Sequence, residues 1–299
     1  MHDVKIRVPA STSNLGSGFD CFGLALRLYL TVEMEESSQG LEITTTGEGS
    51  AQIPTDTENL IYKSAKTVYQ VIEKECPGLT IRINNEIPLF RGLGSSGAAT
   101  VAGLMCASKL VKANLSNQQL LNLAHQIEGH PENASASLVG GLTINCVENN
   151  AITSKRILPR EKLKTVLLIP DVNISTHDAR NVLPREIPYT DAVFNLQRSA
   201  LLAHAFLTDE YDALKLAMQD RLHQPFRKAF MSGYDELEAV GYENSALGVC
   251  ISGSGSTILG LTLDDGKRLQ EAWQKKAQQL ELAAKVMVTE IDSEGAKLV

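Results

Sequence analysis

A glycine- and serine-rich segment, Pro88 to Ala99, carries the residues most able to do chemistry in this 299-residue chain. It reads Pro-Leu-Phe-Arg-Gly-Leu-Gly-Ser-Ser-Gly-Ala-Ala and follows an alternating apolar run, Leu79 to Ile83. Glycines let a backbone turn tightly and approach an oxyanion, and the N–H groups of a helix start favour polyanions. The segment indicates a phosphate-binding loop, although alone it also fits a serine-capped helix after an ordinary turn. It lacks the Gly-Lys-[Ser/Thr] of a Walker A loop.

A second candidate segment is Glu128-Gly129-His130-Pro131-Glu132-Asn133, at the predicted end of a helix. The Glu128 carboxylate, with a serine hydroxyl from the glycine-rich segment, would suit Mg²⁺, which prefers hard oxygen ligands. The alternative is an exposed acidic helix end. His130 precedes a proline, so it lies in a turn; by default it would be a structural histidine.

Three further segments could contact a small ligand. Pro9 to Asp20 places Asn14 and Asp20 in a tight loop after the first strand, a common place for substrate contacts, although such a run is also an ordinary turn. Arg180 and Arg227 could hold a carboxylate by forked hydrogen bonds, or could be solvated surface residues. Ser252 to Thr257 is a second glycine turn between two apolar strands.

Strands and helices must position these groups, and apolar periodicity predicts both kinds in each half of the chain. Strands are predicted at residues 4–8, 24–33, 41–45, 79–83, 142–147, 166–169, 247–252, 257–263 and 285–291. The first ones are expected to form an antiparallel sheet. Helices are predicted at residues 59–74, 95–113, 116–128, 176–182, 191–207, 211–220, 233–240 and 267–280. Ser116 and Gln119 form a capping box at the start of one helix.

The pattern is that of an α+β protein with two domains. The polar stretch from Glu148 to Lys162 is predicted to be structureless and to contain the boundary, so the domains are residues 1–155 and 156–299. About 150 residues for each domain agrees with the usual domain size.

Composition excludes several classes of function. The net charge of −7, without a strongly basic block, argues against a nucleic-acid partner. Five scattered cysteines without a C-x-x-C pair indicate reduced thiols and a cytoplasmic protein. No signal peptide and no apolar run of about 18 residues is found, so no membrane association is expected.

Taken together and in order, these segments resemble the GHMP kinases, a superfamily of small-molecule kinases. The matches run from Pro9–Asp20 through Pro88–Ala99 and Glu128–Asn133 to Ser252–Thr257, with Asp220-Arg-Leu-His-Gln-Pro-Phe-Arg227 matched in full. The last motif and the Asn14, Phe19, Asp20 set resemble the branch that acts on L-homoserine. The resemblance implies a ribosomal-protein-S5-domain-2-like N-terminal domain and a ferredoxin-like C-terminal domain.

The implied reaction is ATP-dependent phosphorylation of the side-chain hydroxyl of L-homoserine to O-phospho-L-homoserine, a step of threonine biosynthesis. By resemblance, Ser96 and Glu128 would hold Mg²⁺, and the homoserine site would contain Asn14, Asp20, His130, Arg180 and Arg227. The implied ATP-binding residues are Pro88, Leu89, Phe90, Arg91, Gly92, Leu93, Gly94, Ser95, Ser96, Gly97, Ala98 and Asn59. Similar proteins are often homodimers, so a homodimer is expected.

The resemblance also implies direct in-line transfer without a dedicated strong base. The implied catalytic residues are Asn133, near the acceptor hydroxyl, and Ser96 and Glu128. Asp20 would suit the ammonium group of the acceptor, and the arginines its carboxylate. A kinase for another small hydroxylated acceptor, or a non-catalytic nucleotide-binding protein, are the alternatives. The paired charges argue against the first alternative, and Ser96 with Glu128 against the second.

The chain departs from the family pattern at three positions. Glu132 stands where Asp is usual, which could shift Asn133 or His130. Ser256 replaces a proline and is expected to loosen the last glycine turn. Gly97 replaces an alanine and is expected to leave the approach of the helix to phosphate intact.

Overall fold

Two long antiparallel strands open the chain and form the centre of the first sheet. In this computed structural model, which describes residues 3–159 and 163–299, β1 spans Val4–Ser13 and β2 spans Phe22–Ser37. Alternate side chains of β2 from Leu24 to Met34 are buried, whereas Arg27 between them is exposed. This period of two is the one that strand geometry requires.

The first sheet has seven strands, in the order β11-β1-β2-β4-β3, with β5 paired to β2 and β6 paired to β5. The further strands are β3 Glu42–Gly47, β4 Gly78–Asn85, β5 Leu142–Glu148, β6 Ala151–Ile157 and β11 Lys297–Leu298. The antiparallel pairing expected from the sequence is confirmed for β1 with β2, but β3 runs parallel to β4.

Helices cover this sheet, and α2 lies at their centre, in contact with β1, β2 and its three helical neighbours. The four helices are α1 Leu60–Val71, α2 Ser95–Leu110, α3 Asn117–Glu128 and α4 Glu132–Val139, and a 3₁₀ turn spans Ser50–Gln52. Small buried residues of α2, such as Ala98 and Ala102, allow this close packing.

The second half forms a four-stranded antiparallel sheet in the order β10-β7-β9-β8, the arrangement of a ferredoxin-like domain. Its strands are β7 Lys164–Pro170, β8 Gly248–Ile251, β9 Ile258–Thr262 and β10 Ala284–Glu290. Its helices are α5 Thr176–Asn181, α6 Tyr189–Thr208, α7 Leu214–Ala217, α8 Gln224–Arg227, α9 Tyr234–Glu243 and α10 Lys267–Gln279, with 3₁₀ turns at Tyr211–Ala213 and Lys228–Phe230. No helix in the described ranges is long and apolar enough to cross a bilayer.

Several predictions about elements were wrong. The stretch from Glu148 onward is not structureless, because β6 pairs with β5 along its whole length; residues 160–162 lie outside the described ranges. The division into domains at residues 155 and 156 stays a prediction; in the structure these residues lie within β6, and β11 returns to the first sheet. The sequence also predicted one helix over residues 211–220, where a 3₁₀ turn and the short α7 stand instead, and it missed α4 and α8.

The two halves meet where their glycine-rich turns touch. The backbone N–H of Gly253 donates to the carbonyl of Ser13 (3.1 Å), and that of Thr257 donates to the carbonyl of Arg91 (3.2 Å). The Ser252 hydroxyl donates to the carbonyl of Gly92 (2.6 Å). These bonds hold the second turn against both predicted loops of the first half.

Candidate active site

The N-terminus of α2 is free to bind a ligand, because no side chain of the described residues caps it. The N-cap is Gly94, in the left-handed conformation (φ 67°, ψ 26°), and neither Ser95 nor Ser96 caps the helix. A Cβ at Gly94 would lie 2.1 Å from Ser11 Oγ, so the position requires glycine. The first N–H groups of α2 therefore remain able to bind an anion, and the simpler interpretation as a serine-capped helix is wrong.

The residues before α2 divide between two neighbouring cavities. The first, of about 170 Å³, is lined by Phe90, by residues 92–96 and by side chains from both halves of the chain. The second, of about 180 Å³, is largely apolar and is lined by Leu30, Ile53, Leu60, Ile83 and Leu89 among others. Phe90, Ser95 and Ser96 line both, so the start of α2 lies at the junction.

Two residues expected at the nucleotide site have side chains engaged elsewhere. The Arg91 guanidinium pairs with Asp171 (2.6 Å) and Asn173 in the second half of the chain, and it lines neither cavity. Asn59 lies in the wall of the apolar cavity, but its side chain caps α1 and donates to the carbonyl of Pro54 (2.6 Å). Asn59 therefore shapes this wall rather than presenting a free amide.

Glu128 lies beside the start of α2, as the sequence predicted. Ser96 Oγ donates to Glu128 Oε2 (2.7 Å), and Thr100 Oγ1 donates to Glu128 Oε1 (2.7 Å). A carboxylate and a hydroxyl are thus held together next to the open helix end. This set of hard oxygen donors is the kind that Mg²⁺ prefers.

Asn14 and Asp20 are held in fixed orientations in the first cavity. Both have positive φ, 71° and 54°, which is uncommon for residues other than glycine. The Asn14 amide donates to the carbonyl of Gly253 (3.1 Å), and its oxygen accepts from the backbone N–H of Asp20 (3.0 Å). The loop from the first half is thereby fixed against the glycine turn of the second half.

Asp20 and Arg180 form a two-bond ion pair across the first cavity. Arg180 Nη1 and Nη2 donate to the two Asp20 oxygens, at 3.0 and 2.7 Å. Both side chains keep 37 % of their surface exposed. Burial opposes the charge of Arg180, but the Asp20 carboxylate outweighs it, so the pKa of Arg180 is raised. Asp20, expected to bind the ammonium group of the acceptor, and Arg180, expected to bind its carboxylate, are thus paired with each other.

Arg227 is the buried cation of the cavity, only 2 % exposed. Its Nη1 donates to the carbonyl of Gly253 (2.8 Å) and its Nε to the carbonyl of Ala179 (3.2 Å). Burial, together with neighbouring Arg180, lowers the pKa of Arg227 to about 10. No carboxylate of the described residues lies in ion-pair contact with Arg227, so an anionic ligand would satisfy it.

His130, which is partly buried, and Glu132, which is buried, form a pair in the same cavity. His130 Nδ1 lies 3.3 Å from Glu132 Oε1, yet neither His130 Nδ1 nor Glu132 Oε2 has a hydrogen-bond partner among the described residues. Burial would lower the pKa of His130, but the carboxylates of Glu132 and Glu128 outweigh it and raise that pKa. Because a buried acceptor without a partner is costly, Glu132 Oε2 is ready to accept from a ligand.

Asn133 lies at the start of α4, between the helix and β1. Its oxygen accepts from Ser11 Oγ (3.0 Å), and its amide nitrogen lies 3.2 Å from Ser13 Oγ. It lines the first cavity together with Ser95 and Ser96. The residue predicted near the acceptor hydroxyl is thus next to the open end of α2.

The departures at Gly97 and Glu132 lie on facing elements. A Cβ at Gly97 would come within 3.0 Å of Ala134 N and Asn133 Cβ. The glycine therefore serves the close packing of α2 on the start of α4, where the longer Glu132 stands, and the intact approach of the helix to phosphate stays a prediction. Ser256 Oγ donates to the carbonyl of Val172 (2.6 Å), a hydrogen bond that proline could not make and that opposes the expected loosening of that turn.

The sequence missed the contributions of Glu132, Thr100 and His223. In the sequence, Glu132 was noted only as a departure from the family pattern, although a carboxylate two residues after His130 could have suggested a polar pair. Thr100 lies one turn after Ser96, a spacing that places both hydroxyls on one helix face. His223 is fully buried behind Arg227 and was noted only as part of its motif.

Known families match both halves of the chain. Residues 59–141 match the GHMP kinases N-terminal domain, and residues 202–279 match the GHMP kinases C-terminal domain. A mevalonate kinase from L. major, 15% identical, superposes with a TM-score of 0.73 over 99% of this chain and 97% of that one, which shows a common fold. The class is therefore that of the GHMP kinases, with the two-domain α+β fold that the sequence predicted.

Closer relatives are homoserine kinases. The enzyme of Caldicellulosiruptor saccharolyticus is 40% identical over 98% of this chain and 96% of its own, and that of Desulfitobacterium hafniense is 38% identical over 99% and 100%. The crystal structure of homoserine kinase from Cytophaga hutchinsonii has a TM-score of 0.91 at 26% identity, covering 100% of this chain and 98% of its own. The chain belongs to the homoserine kinase family, and membership implies the use of ATP.

Proposed function

We propose that this protein transfers the γ-phosphoryl group of ATP to the side-chain hydroxyl of L-homoserine, giving O-phospho-L-homoserine for threonine biosynthesis. The observation that supports this most is the junction at the start of α2. There an apolar cavity meets a cavity lined by charges of both signs, Asp20 and Glu132 against Arg180 and Arg227. A planar base fits the first environment, and a zwitterionic amino acid fits the second.

ATP would lie with its base in the apolar cavity and its phosphates along residues 88–98. The walls of that cavity supply Leu30, Ile53 and Leu60 as apolar contacts for a base. Phosphate oxygens would accept from the uncapped N–H groups of α2, where the helix dipole adds a favourable charge. The side chain of Arg91 would act indirectly, by holding this loop to the second half of the chain.

Ser96 and Glu128 would hold Mg²⁺ between them. No cluster of three or more His, Cys, Asp or Glu side chains in residues 3–159 and 163–299 could hold a metal alone. A single carboxylate with a hydroxyl fits an ion that takes its other ligands from phosphate and water, as Mg²⁺ does. When bound there, the ion would neutralise charge on the phosphates.

The acceptor would be held by its two charges. Its carboxylate would bind Arg227 and Arg180, and its ammonium group would bind Asp20, replacing the Asp20–Arg180 pair with two new ion pairs. Asn14 and His130 would complete the walls of the site. Glu132 Oε2, which is buried and has no hydrogen-bond partner within residues 3–159 and 163–299, would accept a hydrogen bond from the acceptor.

Transfer would be a direct in-line displacement. The acceptor hydroxyl oxygen bonds to the γ-phosphorus as the bond to the bridging oxygen of ADP breaks, and the hydroxyl proton passes to a phosphate oxygen or to water. Such transfer needs positioning and charge stabilisation more than a strong base. Asn133, beside the start of α2, would orient the hydroxyl.

The test is acceptor-dependent release of ADP from Mg-ATP by the purified chain. L-Homoserine should stimulate release strongly, whereas L-serine, L-threonine, mevalonate and galactose should not. Stimulation by mevalonate or galactose alone would contradict the assignment of the charged cavity. ATP binding without release in the presence of every acceptor would contradict a catalytic function.

We also propose that the protein is a cytoplasmic homodimer. The five cysteines are free thiols, which fits a reducing compartment. Helix α6 exposes Tyr189, Leu196 and Leu207, an apolar surface suited to a second copy. Sedimentation velocity should give twice the chain mass of 32.4 kDa, and a monomer at micromolar concentration would contradict the proposal.

A further inference from the structure

His223 lies at the centre of a buried network behind the acceptor cavity. Its side chain is fully buried, and both ring nitrogens have partners: Nε2 lies 2.8 Å from the carbonyl oxygen of Gly16, and Nδ1 lies 3.2 Å from Arg227 Nη1. The ring stacks on Phe19, with centroids 5.2 Å apart and an interplanar angle of 24°. His223 thus joins the first loop of the chain to the buried arginine.

The two partners determine the form of the imidazole. A carbonyl oxygen only accepts and a guanidinium only donates, so Nε2 must carry the proton and Nδ1 must be bare. An imidazolium would place an N–H group against Arg227. The charged groups facing the ring are Asp220, whose Oδ2 is 3.4 Å from Nε2, with Arg227 and, further away, Asp20.

Asp220 does not compete for the ring proton, because its oxygens already accept other hydrogen bonds. They accept from the backbone N–H groups of Leu222, His223 and Gln224, at 2.7 to 3.0 Å, and from the Asn195 amide at 2.7 Å. Burial is the main cause that lowers the pKa of His223 to about 4, despite the carboxylate of Asp220. The ring is therefore neutral at physiological pH.

This neutral ring completes the set of acceptors that orient Arg227. Nη1 donates to Gly253 and to His223, and Nε donates to Ala179. Among the described residues Nη2 has no hydrogen-bond partner, and Arg227 lines the acceptor cavity. With two of its three nitrogens held from behind, the guanidinium has a fixed direction, and Nη2 is the nitrogen left for a ligand.

We propose that His223 is a positioning residue for acceptor binding, which fixes Arg227 through Nδ1, while the hydrogen bond from Nε2 to Gly16 holds the ring itself in place. The inference rests on the proposed function, because it takes Arg227 as a ligand of the acceptor carboxylate. His223 itself lines neither the acceptor cavity nor the apolar cavity, so its effect on binding passes through Arg227.

Two amide variants separate the two ring nitrogens. The Asn amide of His223→Asn reaches the place of Nδ1 and can accept from Arg227, whereas the Gln amide of His223→Gln reaches the place of Nε2 and can donate only to Gly16. His223→Phe keeps the stacked ring without either bond. Tyr234→Phe is the matched control, since Tyr234 is also a buried ring near this motif and its hydroxyl contacts Gln224 instead.

The measurement is the KM for L-homoserine and for ATP in each variant, with Tm as a check of folding. We expect His223→Phe and His223→Gln to raise the homoserine KM about tenfold or more, the usual weight of a hydrogen bond to a charged group. His223→Asn should stay within about threefold of the wild type, and the ATP KM should not change. Equal homoserine KM values for the Asn and Gln variants would overturn the proposal.

A double variant gives a second, independent test. If His223 acts through Arg227, adding His223→Gln to Arg227→Ala should raise the homoserine KM no further, because the group that it positions is gone. If the double variant instead shows the product of the two single increases in the homoserine KM, the proposal is contradicted. If the wild-type protein phosphorylates another acceptor instead, the proposed function fails. The same comparison of single and double variants, carried out with that acceptor, still tests the proposal for His223.

Discussion

Two cations of different character stand in the acceptor cavity. Arg180 is half-exposed and already paired with Asp20, whereas Arg227 is buried and, in the described part of the chain, donates hydrogen bonds to carbonyl oxygens and an imidazole nitrogen. A buried cation has lost its water and gains more from an anionic ligand than an exposed one does. The two arginines should therefore contribute unequally to binding.

Replacing either arginine with alanine is expected to weaken acceptor binding. The homoserine KM should rise about tenfold to a hundredfold, more for Arg227→Ala than for Arg180→Ala, while the ATP KM stays within about twofold. Steady-state kinetics in both substrates measures this, with Arg268→Ala on the surface of α10 as the control. An unchanged homoserine KM in both variants would exclude a carboxylate clamp.

Glu128→Gln removes a charge and keeps the shape of the side chain. We expect kcat to fall at least tenfold and the Mg²⁺ concentration for half-maximal rate to rise, because a neutral amide is a weaker ligand for a hard cation. A Mg²⁺ titration at saturating ATP measures both, with exposed Glu271→Gln as the control. Full activity with an unchanged Mg²⁺ requirement would place the metal ligand elsewhere.

Burial of a neutral His223 makes stability depend on pH. Between about pH 6.5 and 4 the unfolded chain binds a proton at His223 and the folded chain does not, so stability is full above pH 6.5 and is lost as the pH falls. Tm measured from pH 7.5 to 4.5 should fall less steeply in His223→Asn than in the wild type. Parallel curves would contradict a depressed pKa.

At the level of single elements, the capping box of α3 is a stabilising feature remote from the site. Ser116 Oγ accepts from the backbone N–H of Gln119, and the Gln119 side chain accepts from that of Ser116. Ser116→Ala should lower the free energy of unfolding by about 1 kcal/mol and leave both KM values unchanged. Chemical denaturation with activity assays checks this, and a raised KM would show that α3 positions Glu128 more directly.

How far the sequence predicts an element depends on whether its signals are local. The capping box and the alternation in β2 are local, and both predictions are confirmed. The sequence of β6 is polar because β6 is an edge strand with one exposed face. Its extended conformation is therefore decided by its pairing with β5. α4 is too short for a clear period, and its small residues pack on β1 and α2.

At the level of the whole molecule, the site exists only because two halves of the chain meet. Asn14 reaches Gly253, which lies 239 positions later in the chain, and Arg91 reaches Asp171, which lies 80 positions later. Residue types predicted which groups would be involved, but not that Asp20 pairs with Arg180 or that Arg91 turns away. Those pairings depend on the relative placement of two sheets, which no local pattern records.

The central claim is that this cavity holds a zwitterion with its hydroxyl against the phosphates of ATP. The most direct measurement compares kcat/KM for L-homoserine, for 4-hydroxybutanoate, which lacks the ammonium group, and for 3-aminopropan-1-ol, which lacks the carboxylate. Homoserine should exceed both by about a hundredfold or more, since each analogue leaves a charged side chain unpaired, and ³¹P NMR should show phosphate on its side-chain oxygen. An analogue that reacts as well as homoserine would contradict the account.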